Sequence, residues 1–344
     1  MTLLRRLGLA ALALAILHII LAPVVRITGS GMGCGPHWPT CHGYWFPPLD
    51  RMDLVIEVMH RYIAASLILS LLALLGVAIA RRAAPRVGGS GGVLRGAALA
   101  VLLTVLVSVL GGITVKLHLP AVVTASHFVL AMLLVAALVI TVQRAGGLGA
   151  ADVRGGGVSR KTHRGVAAAA ILALAAVAMG ALTAKVPGAA AACQGFPLCS
   201  GTILPRFGAQ HVQFTHRMIA FLLLFHLVGL VIAVARRGEH AVIIRTSRLA
   251  LAAVGAQIVV AAGLVLMNLP QQLQWLHSAM ATVVWLAVFT FYALARRGAL
   301  GEPARVVPAA EAVLSRPDQA LPAAEPARAQ PHSMAVIVAR GADL

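Results

Sequence analysis

Long apolar runs separated by short polar connections dominate the chain, and run length decides its class before any single residue is considered. An α-helix needs about 20 residues to cross a hydrocarbon core. Runs of that size lie near 4–25, 54–80, 95–114, 121–143, 164–185, 210–236, 247–267 and 273–296. A helix satisfies its own backbone hydrogen bonds in lipid, where no water can. The pattern therefore predicts an all-α integral membrane protein with eight transmembrane helices. The first run continues into RITGSG without a convincing cleavage site, so it is read as a helix and not a signal peptide.

The polar positions inside these runs recur. EVMHRYIAA around His60 is answered by QFTHRMIAF around His216, and ASHFVLAML around His127 by LHSAMATVV around His277. The third helix of each half repeats too, with Pro120 and Pro270 at the same point. Two four-helix halves follow, 1–143 and 164–297, joined by a Gly-rich basic linker at 144–163. With an even number of helices per half, both halves have the same orientation and form pseudo-symmetric four-helix bundles related by an axis along the membrane normal. Residues 298–344 turn to Ala, Pro and scattered charge, and are expected to form a disordered cytoplasmic tail.

Composition agrees: 60% of residues are hydrophobic and 11% charged, unlike an ordinary soluble domain. The net charge of +18 raises the possibility of a nucleic-acid partner. Its placement argues for topology instead. Arg5, Arg6, Arg81, Arg82, Arg144, Arg236, Arg237, Arg296 and Arg297 flank alternate ends of the spans, whereas the opposite connections hold few cations. The positive-inside rule puts both termini in the cytoplasm of a multi-pass cell-membrane protein, with the lipid bilayer as its surroundings.

Four histidines at duplicated depths are candidate iron ligands. Heme iron accepts imidazoles, and bundle interiors commonly build such sites. His60 is expected to meet His127, and His216 to meet His277, each pair toward the outer side. His18 and His226 lack a repeat partner, and packing or polar contact is their default. Arg61 and Arg217 follow the helix-two and helix-six histidines; a cation there suits heme propionates, or else snorkels to the interface. Glu57 is the one carboxylate within a span, three residues before His60, and Gln213 stands in its place in the second half. An ionisable group at such depth is a functional candidate by default. The asymmetry assigns chemistry to the first half and a permanent cofactor to the second.

The cysteines fall one pair per outer loop, Cys34 with Cys41 and Cys193 with Cys199. Disulfides suit an oxidising outer compartment. Zinc competes at the first pair because His37 and His42 are near. A structural bridge is the default for the second pair, and a redox-active role stays open for the first.

Together the RITGSGMGCGPHWPTCHG loop, the Glu57–His60 helix, the four histidines and the two cysteine pairs resemble the heme A synthase family, in its Bacillus-like and actinobacterial type. The resemblance covers residues 1 to about 297. It implies an oxidoreductase that converts the methyl group at C8 of heme O to a formyl group, through hydroxylated intermediates, with oxygen from water. It implies His60 and His127 as substrate-heme ligands, His216 and His277 as ligands of a heme b cofactor, and Glu57 as the catalytic residue. A heme O synthase, cytochrome oxidase assembly factors and an electron acceptor of unknown identity are the implied partners. Nucleic acid is not among them. The competing reading is a diheme b-type cytochrome passing electrons from quinol. It uses the same histidines but has no need of Glu57 or the cysteine loops. A transporter, the third reading, does not need four matched histidines.

Overall fold

The computed structural model describes residues 1–150, 152–153, 157–201 and 204–300. The expected tail, 298–344, lies almost wholly outside them. Among the described residues there are eight long helices: α1 (Thr2–Ile27), α2 (Met52–Ala80), α3 (Val93–Lys116), α4 (Ala121–Arg144), α5 (Arg160–Lys185), α6 (Gly208–Arg236), α7 (Ala241–Leu266) and α8 (Gln271–Leu300). All eight are long and apolar enough to cross a membrane. The largest departure from the expected spans is at the start of α7, which begins at Ala241, where 247 was expected. Arg245 and Arg248 interrupt the apolar run but not the helix, because long cationic side chains keep their charge in water while the backbone continues.

The two halves share one core. α4 and α8 are central: 44% of the apolar window of α4 and 50% of that of α8 are buried, against 11% for peripheral α7. Met132, Leu138, Val288 and Phe291 from these helices join Ile19 of α1, Val166 of α5 and Leu227 of α6 in a single cluster. Small residues permit this closeness, notably Ala131, Ala136 and Ala137 on α4 and Ala169, Ala170 and Ala173 on α5. Lipid is as apolar as leucine, so helices associate in a membrane through close packing and hydrogen bonds. Two such bonds tie the halves together: Trp285 Nε1 donates to the Met132 carbonyl at 2.7 Å, and Trp275 Nε1 to that of Ile20 at 3.0 Å. Leu69, Phe225 and Val259 are 68%, 68% and 72% exposed, a liability in water but proper for side chains that face acyl chains.

The duplication extends to backbone detail. α3 and α7 both end in a turn with two successive left-handed residues before proline, His118–Leu119 and Asn268–Leu269. In each, the second residue donates back to the carbonyl five before it, Leu119 to Thr114 and Leu269 to Leu264, both at 2.8 Å. This closes the helix by satisfying carbonyls that have no intrahelical partner. The outer loops likewise begin with left-handed Gly29 and Gly188, followed by the short 3-10 turns Ser30–Met32 and Ala189–Ala191.

Candidate functional site

The outer loops are folded by side chains of α2 and α6. Glu57 of α2, 4% exposed, accepts the Cys34 backbone N–H at 2.9 Å and Arg61 at 2.5 Å. Gln213 of α6 accepts the Cys193 N–H at 2.6 Å and donates its amide to the Ala190 carbonyl at 3.1 Å. The two residues thus do the same anchoring work and differ in charge. Arg61 donates to the carbonyls of His37, Pro39 and Thr40. Arg217 donates to those of Cys193, Gly195, Pro197 and Leu198. Burying an arginine this way replaces its hydration with fixed carbonyl dipoles. Their terminal nitrogens are thus engaged by the loops, while both side chains also line the cavity beneath.

Both cysteine pairs are disulfides, with Cα–Cα distances of 4.7 Å for Cys34–Cys41 and 4.4 Å for Cys193–Cys199. The bridge removes the thiolates that zinc would need. Near the first bridge, His37 and His42 make ring-nitrogen contacts with the Cys34 and Gly33 carbonyls.

Beneath the loops lies a cavity of about 760 Å³ lined by both halves, including His18, Glu57, His60 and His127 from the first and Gln213, His216, Gln257 and His277 from the second. Its walls are mostly apolar with a few convergent polar groups, as ligand sites usually are. The candidate histidines therefore open into one space, not two sealed ones.

Within that space the halves differ. In the second, the His216 and His277 rings face one another at 6.3 Å between centroids with an 86° interplanar angle. Two metal–imidazole bonds of about 2.0–2.1 Å, each continued to its ring centre, set opposed imidazoles roughly 6 Å apart. The pair therefore fits a single iron between its rings. His216 Nδ1 lies 3.0 Å from the Ala176 carbonyl and is held as the donor, which leaves Nε2 its lone pair for a metal. Gln257 lies against the partner: its amide nitrogen is 3.1 Å from His277 Nδ1 and 3.5 Å from Nε2 and donates to the His277 carbonyl at 3.0 Å.

In the first half His127 is oriented in the same manner, its Nδ1 3.0 Å from the Val107 carbonyl. His60 is not. Its Nε2 lies 3.1 Å from Nε2 of His18, the rings are 4.0 Å apart, and its buried Nδ1 has no partner. The structure brings His216 to His277, and it sets His18 against His60 in the chamber that His127 also lines. Packing or polar contact is the expectation for His18, and its contact is polar, with a partner in His60 that the sequence does not name. The available signal was its register: His18 lies as far before Cys34 as Val177 lies before Cys193, so a polar residue stands where the repeat has an apolar one.

Two glycines make room for the rings. A Cβ on Gly180 would lie 2.9 Å from His216 Cε1, and one on Gly111 3.1 Å from His127 Cε1. Neither glycine is needed for a turn; both lie within helices, where they let a neighbouring imidazole rest against backbone.

Known proteins place this arrangement in context. A family model described as cytochrome oxidase assembly protein matches residues 5–289. A heme A synthase of Symbiobacterium thermophilum is 31% identical over 289 residues, covering 82% of this chain and 92% of its own length. One of Alkalihalophilus pseudofirmus is 29% identical over 227 residues, covering 63% of the chain and 71% of its own length. A protoheme IX farnesyltransferase of Thermus thermophilus is 31% identical over 310 residues, 85% of this chain but 49% of that protein.

Proposed function

The chain belongs to the COX15-CtaA family of cytochrome oxidase assembly proteins, and on that premise we propose that it is a heme A synthase. The observation carrying this reading is the contrast inside one cavity between a fixed imidazole pair, His216 with His277, and a chamber holding Glu57, His18, His60 and His127. The fixed pair holds a resident heme b, which when bound supplies one-electron transfer. The other chamber takes heme O as substrate, with His60 and His127 as its iron ligands. The methyl group at C8 is oxidised with water to a formyl group in two two-electron steps, through hydroxylated intermediates. The released electrons pass to an external acceptor and the protons to solvent. An oxidoreductase acting on a methyl group is the corresponding enzyme class.

Glu57 lines the substrate chamber on the His60 side of α2. As an anion beside Arg61 it stabilises positive charge or takes up a proton during oxidation, while also anchoring the Cys34 loop. The halves 1–143 and 164–297 are accordingly the substrate and cofactor halves, with 144–163 as their linker. The alternation of basic connections supports a plasma-membrane location with the loops outside and both termini in the cytoplasm. The Thermus farnesyltransferase, half of which aligns with this chain, supports a heme O synthase as working partner.

The test is coexpression with a heme O synthase, followed by extraction of hemes. Heme A in the membranes and heme b in the purified protein are expected. Protein that carries heme b alone and yields no heme A would overturn the reading in favour of a diheme cytochrome.

A further inference from the structure

Besides Arg61 and Arg217, the cavity is lined by two cations that hold no loop: Arg26 at the outer end of α1 and Lys185 at the outer end of α5. They occupy one step of the repeat, since Arg26 lies as far before Cys34 as Lys185 lies before Cys193. Both are half-buried. No described carboxylate pairs with either, because the ion pairs among the described residues are Arg51–Asp53 and Arg61–Glu57. The Arg26 guanidinium donates to Gln274 Oε1 at 3.2 Å, reaching across the boundary between the halves. Gln274 is one turn before His277 on the same face of α8. Lys185 ends α5, which packs on α6 and α8, the helices of His216 and His277, and also on α4, the helix of His127.

A cation facing an apolar cavity without a counter-charge is costly. Snorkelling to the interface would remove the cost for one long side chain. It does not explain why both sit at the same step of the repeat and both line the ligand cavity. A carboxylate-bearing ligand does, and the proposed ligands each carry two carboxylates. We propose that Arg26 and Lys185 form a crossed carboxylate clamp, in which each half lends its cation to the heme of the other. Arg26 secures the propionates of the resident heme at His216 and His277, and Lys185 those of the substrate heme at His60 and His127. The inference rests on the heme reading above. It gives the clamp a selective role: a porphyrin without free carboxylates is discriminated against, and exit of product requires release from Lys185, a mobile point charge where the resident site has a planar fork.

The test titrates purified full-length protein in lipid nanodiscs with hemin and with hemin dimethyl ester, following the low-spin Soret band. A charge-assisted hydrogen bond predicts that the native protein prefers the free acid by about ten- to a hundredfold. Arg26→Gln should lower retained heme b, and Lys185→Gln should weaken binding of added hemin, each with a reduced acid-over-ester preference. Arg26→Lys and Lys185→Arg should restore part of it. Equal binding of acid and ester by the native protein would refute the clamp while leaving the heme site standing. Binding of neither would remove the heme reading and the clamp with it. The acid–ester comparison on native protein decides the matter even if a glutamine variant folds poorly.

Discussion

The Nε2 atoms of His18 and His60 lie 3.1 Å apart between α1 and α2, and the second half has no such contact because Val177 stands in the place of His18. One ring donates to the other, and each is left with a buried, unpartnered Nδ1. His60 is thus the least fixed of the four candidate ligands, in the half proposed to take in substrate and let product go.

Replacing His18 tests whether it supports His60 in the absence of iron. His18→Val strands a buried ring nitrogen, at a cost of about 1–3 kcal/mol, while Val177 shows that the fold accepts valine at this step. Thermal unfolding without added porphyrin should show the loss, and hemin, by giving His60 an iron, should reduce it. An equal loss with and without hemin would count against the idea.

Glu57→Gln separates anchoring from charge, and the repeat supplies the precedent. Gln213 already accepts the N–H of its loop cysteine, so a glutamine at 57 should keep the Cys34 loop folded. Heme binding and thermal stability should stay near native, within about 1 kcal/mol, while formyl heme falls at least tenfold in extracted membranes. Normal heme A output from this variant would remove Glu57 from the chemistry.

Gly180→Ala should push on a ligand without touching its chemistry. The added Cβ would meet His216 Cε1 at 2.9 Å, and the ring cannot retreat without lengthening its bond to the Ala176 carbonyl. Overpacking of this kind costs about 1–3 kcal/mol, so heme b retained per protein, measured as the pyridine hemochrome, should drop. Gly229→Ala, with open space around the new Cβ, serves as the control and should retain native heme. Equal heme content in the two variants would contradict the ring-seat role of Gly180.

Arg217→Lys tests the loop clamp. A lysine supplies a point charge where a planar fork reaches four carbonyls. Protease should cut the 193–199 loop faster in the variant while its disulfide stays intact by non-reducing gel. Unchanged cleavage would mean that the bridge alone holds the loop.

Much of the fold was legible because a membrane imposes simple arithmetic. Run length counted the helices, and the repeat of His60 and His127 in His216 and His277 picked out four histidines that line the cavity, although it implied two separate sites where the structure has one shared space. The cysteine pairs were readable as bridges for a related reason: six or seven residues separate the partners, so little chain must fold to bring them together. Roles that depend on which way a side chain turns were not legible. Arg61 and Arg217 immediately follow the candidate ligand histidines and line the same cavity, yet nothing in the helix pattern shows that their guanidiniums reach back to the loop carbonyls.

The sequence by itself therefore determined class, helix count, duplication and the candidate ligands, since each is a matter of period, length and composition along one chain. Only the tertiary structure decided that Glu57 and Gln213 share a mechanical task and that His60 meets His18. It likewise decided that Arg26 reaches Gln274 across the halves. These are contacts between residues far apart in the chain or on different helices, made where α2 and α6 meet their outer loops and where α1 packs on α2 and α8. The physical reason is that a helix pattern shows which face is apolar but not which neighbour that face meets.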